Sequence, residues 1–514
     1  MSATILFSFV IGYFLLLLVV AYFTSKNSNN ASFFIGNRNS NWMLVAFGMI
    51  GTSLSGVTFV SVPGTVGVGG FQYFQIVIGY FLGYLVIAYV LLPIYYKLNL
   101  TSIYKYLQKR FGDTAYRTGA MFFILSRALG ATARMYLVVN ILQIFVLNQM
   151  GVPFWATALV ILALILLYTF EGGVKTIVYT DTLQTTFMLL GLILCIATIM
   201  WKLDLRLTST VIAMKNNGMG KLFNTDFNSS AFFVKQIFAG AFITIAMTGL
   251  DQEMMQKNIS VRTLKDSQKN VITLASILIV VNFLFLLMGG LLYLYAAENN
   301  ITVKGDDLFP AIALGGNLPV AISIIFIIGL ISALFPSADG ALTALTSSFC
   351  IDILGIQHQS TDEAAKKRKR LMVHLSFAVL FFLLVMLFKW IDDKSIIDVI
   401  LKVAGYTYGP LLGLFAFGIL THRTVKDRYT FLVCIISPLL IFVIDLFNNP
   451  DWFIKRFALN DALAASLRET SALFFGSFKI GLEILILNGI FTFLGLWLIS
   501  KPDQKRELEQ EISA

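Results

Sequence analysis

Apolar residues in this chain gather into runs of roughly 18 to 28 residues, each long enough for a helix to cross about 30 Å of hydrocarbon. About thirteen such runs are legible by that criterion. They lie near 4–23, 42–69, 71–96, 117–148, 154–170, 174–201, 231–253, 271–296, 318–352, 371–390, 396–420, 428–447 and 476–499. The first has neither the basic start nor the small-residue cleavage site of a secretory leader, so it reads as a true span or signal anchor. The pattern predicts an all-α polytopic membrane protein.

Two runs are interrupted. The second reads GMIGTSLSGVTFVSVPGTVGVGG, with Gly51, Gly56, Pro63 and Gly64 among hydroxyl residues. The seventh reads AGAFITIAMTGLDQEMMQK and carries Gly249, Asp251 and Gln252. Their separation suits two inverted five-helix halves that each open on a broken helix. Unwound backbone at membrane depth survives only in protein or beside a cavity, where its carbonyls and helix ends can hold ions or solute. Small-residue helix packing is the plainer explanation for either run alone.

Composition sharpens this picture. Hydrophobic residues make up 57% of the 514 and charged residues only 13%, about half the charge usual in a soluble protein. The net charge of +10 would suit a nucleic-acid binder, but the bases cluster in short loops between apolar runs. Counting those bases predicts an outside N-terminus and an inside C-terminus. Lys97, Lys105, Lys109, Arg110, Arg117, Lys257, Arg262, Lys265, Lys269 and the KKRKR run at 366–370 then face the cytoplasm, the last as a solvated loop. Cys195, Cys350 and Cys434 sit in or beside apolar runs and read as small buried hydrophobes. No metal cluster, Walker loop or nucleophile–base pair is legible, so an enzyme or an ATP-driven pump is not expected.

The chemistry lies in polar residues inside the runs. Asp181 falls about two turns into the sixth run and needs a cation, an arginine or a proton beside it. In the ninth, Ser332, Asp339, Thr343 and Thr346 share one helix face, with Ser337 nearby. Pro336 has no N–H, which frees the carbonyl of Ser332. Hydroxyls, a carboxylate and a free carbonyl are hard oxygen ligands suited to a small hard cation. Arg127 and Arg134 share a face of the fourth run. Either could be neutralised by Asp181 or Asp339, or Arg134 could face a cavity and pair with an anionic solute through its planar fork. Asn140 and Asn282 read as interhelical glue or as pathway residues.

These motifs resemble the sodium:solute symporter family over roughly residues 1–420. The resemblance rests on EGGVKTIVYTDTLQ, GTSLSGVTFVSVPG, the Asp251–Lys257 run, and SALFPSADGALTALTSSFCIDIL with its terminal Asp352. It implies the LeuT-like fold of inverted five-helix repeats. One extra helix and a linker (1–41) precede the first repeat (42–230) and the second (231–420); two helices and a tail (421–514) follow. It implies a sodium site at Gly51, Leu54, Ala333, Pro336 and Ser337, where Pro336 departs from a usual hydroxyl residue. A second, more acidic sodium site would involve Asp181 and Asp339. Ser55, Thr58 and Arg134, with Asp251 and Gln252, would face the solute.

The expected protein is therefore a multi-pass cell-membrane symporter, working as a monomer with no nucleic-acid partner. It would use sodium to import a small polar, carboxylate-bearing solute by alternating access. A proton-coupled transporter on the same scaffold and an uncoupled channel or receptor are the competing readings.

Overall fold

The computed structural model describes residues 3–25, 40–169, 173–316, 318–356, 362–391, 396–457 and 459–502. Residues 26–39, 170–172 and 503–514 are among those that lie outside the described residues. Apart from one short antiparallel pairing of Thr424–Val425 with Ser500–Lys501, the described elements are helices.

Eight helices are long and apolar enough to cross a membrane. Those used below are α1 (Ala3–Ser25), α4 (Tyr73–Lys97), α5 (Asp113–Phe145), α7 (Gly173–Lys202), α10 (Leu264–Glu298), α11 (Val320–Ile353), α12 (Glu363–Ile391) and α15 (Thr430–Asn448). Three bent pairs join them. α2 (Trp42–Ser53) turns by 56° into α3 (Gly56–Gly69), and α8 (Phe233–Gly249) by 68° into α9 (Gln252–Ile259). The third pair, α13 (Ile396–Thr407) and α14 (Gly409–Leu420), bends by 45°. Two shorter apolar helices, α6 (Phe154–Thr169) and α16 (Ile484–Leu498), complete the bundle.

The first two breaks fall in the runs whose glycines and hydroxyls predict them. The bend sits at Leu54–Ser55, however, and Pro63 lies inside α3. Pro63 tolerates the helix interior because the surrounding bundle can re-satisfy the backbone it frees. The third break, at Tyr408, goes beyond the two expected above, although its run carries Gly405, Gly409 and Pro410. Pro410 at the start of α14 explains it, since proline is accepted in the first turn of a helix and disfavours helix before it. The KKRKR bases also depart from expectation. Residues 366–370 belong to α12 rather than to a loop, and Arg370 is only 5% exposed.

Residues facing outward are apolar, as hydrocarbon requires: Leu15, Phe23, Trp201, Leu383 and Trp390 are all exposed. The core lies between α7 and α11, with α2, α3, α5 and α10 around them. α4 and α8 meet backbone to backbone. A Cβ on Gly79 would lie 2.1 Å from the Ile237 carbonyl, and one on Gly240 would lie 2.3 Å from that of Ile76. Close approach of this kind is how small residues bring helices together where no hydrophobic force acts between them.

Gly79→Ala is accordingly expected to lower the thermal midpoint of the purified protein, through an overpacking penalty of about 1–3 kcal/mol. Gly12→Ala, where nothing lies within 4 Å, should leave the midpoint unmoved. Equal melting of the two variants would refute the close packing.

Candidate functional site

The polypeptide at the first break stops making helix after Ser53. Leu54 has φ −94° and ψ 84°, and its N–H reaches back to the carbonyl of Ile50. Among the described residues, no donor reaches the carbonyls of Gly51 or Leu54. Such orphan carbonyls in a dry interior are costly unless a cation or water completes them. Gly51 is wedged between two partners. Its N–H donates to Thr185 Oγ1 at 3.0 Å, and an added Cβ would lie 3.4 Å from Pro336 Cγ. The break therefore abuts the proline turn of α11, where Ala333 and Ser337 are also fully buried. The Ser337 hydroxyl donates to the Leu334 carbonyl at 2.8 Å, which leaves its oxygen able to accept.

The second break is filled differently. Tyr95 and Tyr104 donate to the carbonyls of Gly249 and Leu250, at 2.8 and 2.9 Å. Asp251 caps α9, with Oδ1 accepting from the amides of Glu253 and Met254 at 2.9 and 3.2 Å. Its Oδ2 accepts from Tyr408, the hinge of the third break, at 3.0 Å. Gln252 accepts from the Ile103 amide and donates to the Thr101 carbonyl. Neither Asp251 nor Gln252 lines the central cavity, in contrast to the sequence expectation. Their polar atoms are spent on holding the unwound segment.

That cavity offers about 120 Å³ of internal volume and is partly open to solvent. Ser53, Leu54, Ser55 and Thr58 line it from the first break, and Thr244 and Thr248 from α8. Tyr73, Tyr80 and Tyr84 come from one face of α4. Asn282 of α10 lines it too, whereas Asn140 accepts from Lys389 at 3.1 Å. The N-terminus of α3 opens onto the same space, and helix N-termini favour anions.

Arg127 and Arg134 both reach the cavity, yet differ in what holds them. Arg127 bonds to Glu253 and lies 3.8 Å from Asp251. Arg134 makes no hydrogen bond or ion pair with any described residue. Neither arginine pairs with Asp181 or Asp339. Asp181 Oδ2 instead accepts from Lys257 Nζ at 2.7 Å and from Thr52 at 3.1 Å. Lys257, expected among solvent-facing cytoplasmic bases, is 2% exposed. Its ammonium thus stands where a sodium ion beside Asp181 was expected. Asp339 is fully buried, and its Oδ1 accepts from the Gly340 amide.

The lower part of the polar seam in α11 serves packing. Thr346 bonds His374 of α12 at 2.9 Å, while Ser348 and Tyr116 bond Asp352 at 2.7 and 2.8 Å. Ser332 donates to Tyr13 of α1 at 2.7 Å. Sequence reasoning passed over Glu253 and the tyrosine stripe of α4. Both left a signal: Glu253 and Lys257 stand at the spacing of a helical ion pair, and Tyr73, Tyr80 and Tyr84 recur on one helix face.

Comparison with known proteins gives this geometry its context. The chain is 25% identical over 446 residues to the sodium/sialic acid symporter of Proteus mirabilis (strain HI4320), covering 81% of this chain and 85% of the relative. It is 24% identical to the sodium-dependent multivitamin transporter of Oryctolagus cuniculus, over 75% of this chain and 60% of the transporter. Among solved structures, a Na+-coupled sialic acid symporter, substrate-bound and outward-open, superposes with a TM-score of 0.79. That match has 19% identity and covers 97% of this chain and 99% of the other. It shows a shared fold, the LeuT-like one. Residues 33–427 match the profile of the sodium:solute symporter family, whose members are transporters rather than enzymes. This chain belongs to the sodium:solute symporter family.

Proposed function

We propose that the protein is a sodium-coupled symporter that imports a small, carboxylate-bearing polar solute by alternating access. The observation that carries the solute class is Arg134, a guanidinium in the cavity with no protein anion of its own. Arg134 is half-buried, so its guanidinium is open to a partner from the cavity, and its planar fork matches a carboxylate. The sialic acid named for two relatives is an acidic sugar, and an acidic sugar is the first candidate here.

In this reading sodium is cargo, held by the carbonyls of Gly51, Leu54 and Ala333, the backbone at Pro336, and the Ser337 hydroxyl. Orphan carbonyls at Gly51 and Leu54 support the site, since hard oxygen donors suit a hard cation. The ion would tie the broken α2–α3 helix to α11. Because Ser53, Ser55 and Thr58 continue from the same break into the cavity, fixing the break also orders the solute's contacts, and each ligand favours the other. Inward sodium movement supplies about 2.3 kcal/mol per charge per 100 mV. Asp181 and Asp339 would serve a second ion only in a state where Lys257 has moved away.

The same proposal takes the two repeats as 42–230 and 231–420, each opening on a broken helix, flanked by 1–41 and 421–514. It takes thirteen crossings with the N-terminus outside and the C-terminus inside, acting as a monomer. Eight long helices, three bent pairs and two shorter apolar helices support the number.

Proteoliposomes holding the purified protein are expected to accumulate sialic acid or another carboxylate-bearing sugar in sodium but not in choline or potassium. Uptake indifferent to that exchange, or driven equally by a pH gradient without sodium, would sink the coupling. Arg134→Ala should weaken uptake of the anionic solute by at least ~30-fold, the lower end expected for losing one partner of a buried charge pair. Unchanged half-saturation would remove Arg134 from the site. Ser337→Ala should raise the sodium concentration for half-maximal uptake by about tenfold, the scale on which losing an oriented ligand group acts.

A further inference from the structure

One buried acid has no part in that scheme. Glu253 is 2% exposed, in the first turn of α9, and spans two cations. Its Oε2 accepts from Arg127 Nη2, and its Oε1 lies 3.4 Å from Lys257 Nζ. Lys257 Nζ continues to Asp181 Oδ2 and Thr52 Oγ1, each at 2.7 Å. Arg127 and Thr52 both line the solute cavity. The four charges therefore leave the cavity at Arg127, pass through α9, and return at Thr52, the neighbour of Gly51. α11 makes room for the acid: a Cβ on Gly340 would lie 2.1 Å from Glu253 Oε1.

Every residue of α9 is buried, although its sequence is QEMMQKNI. A helix so polar stays in a dry interior only while its charges are matched. Removing Glu253 would leave Arg127 only Asp251, 3.8 Å away, and Lys257 only Asp181, and members of one such network are energetically coupled. Arg127 is the member shared with the cavity, one face of α5 below Arg134.

We propose that Glu253 is a positioning residue that latches α9 shut, and that the latch is sensitive to the charge of the cavity through Arg127. An anion that draws Arg127 towards Arg134 takes from Glu253 one of its two cations and so loosens α9. The proposal rests on the symport reading for the identity of that anion, but its geometry is independent of it.

Ser260, fully buried where α9 ends, can report the latch as Ser260→Cys in the purified full-length protein, titrated with a water-soluble maleimide. Cys195, Cys350 and Cys434 are buried, and the chain without Ser260→Cys gives their background. E253Q and R127Q should each label about tenfold faster, the change that ~1.4 kcal/mol of lost latch produces. The R127Q/E253Q pair should label no faster than either alone, because one link is broken in each. Where E253Q alone yields no folded protein, the pair strands no charge between these two residues and is read against R127Q in the same way. Unchanged labelling in the variants, or effects that multiply in the pair, would overturn the latch. Accelerated labelling beside sodium-indifferent uptake by the unaltered chain would overturn symport alone. Sodium-dependent uptake with unchanged labelling would overturn the latch alone.

Discussion

A peptide group at membrane depth has no water to bond, and this constraint shapes the protein more than any single contact. Most of the chain meets it with long helices. Three helices break, and each break must find partners for the backbone it exposes. At Gly249 and Leu250 the partners are tyrosine hydroxyls, and at Asp251 a carboxylate caps the new helix. At Gly51 and Leu54 no described group does the same. Both breaks expose backbone, yet one is closed by the protein and the other keeps carbonyls without a described donor.

The same scarcity governs charge. Burying an ion unpaired is so unfavourable that the acids and bases at the centre are almost all matched. Lys257 with Asp181 and Arg127 with Glu253 are matched inside the protein. Arg134, half-buried at the cavity, has no such partner among the described residues. The proposed binding chemistry thus emerges by subtraction: what the fold satisfies is read as structural, and what it leaves open as the place offered to cargo. The three breaks are also joined, since Tyr408 of the third bonds the cap of the second, and Thr52 of the first bonds Lys257 just beyond that cap.

Much of this was legible in the chain. Apolar runs of membrane-spanning length fix an all-helical polytopic protein, because only a helix satisfies its own backbone in lipid. The glycine and hydroxyl clusters around Gly51 and Gly249 mark the first two breaks, since such residues weaken a helix, although the bends themselves fall at Leu54–Ser55 and Leu250–Asp251. Arg134 and Asp181 are conspicuous as charges inside apolar runs.

Pairing was not legible. Asp181 was open to sodium, arginine or a proton; only the packing of α7 against α2 and α9 decided for Lys257, a residue its sequence context placed in solvent. Arg127 and Arg134 share a helix face and differ only in whether α9 brings Glu253 to them. Asp251 and Gln252 read as solute contacts until the loop at 101–104 and Tyr408 were seen to use them. Sequence periodicity fixes which residues share a face of one helix. Which faces meet depends on how helices rotate and tilt against one another, and there a glycine such as Gly340 matters through the room it leaves for a side chain far away in the chain.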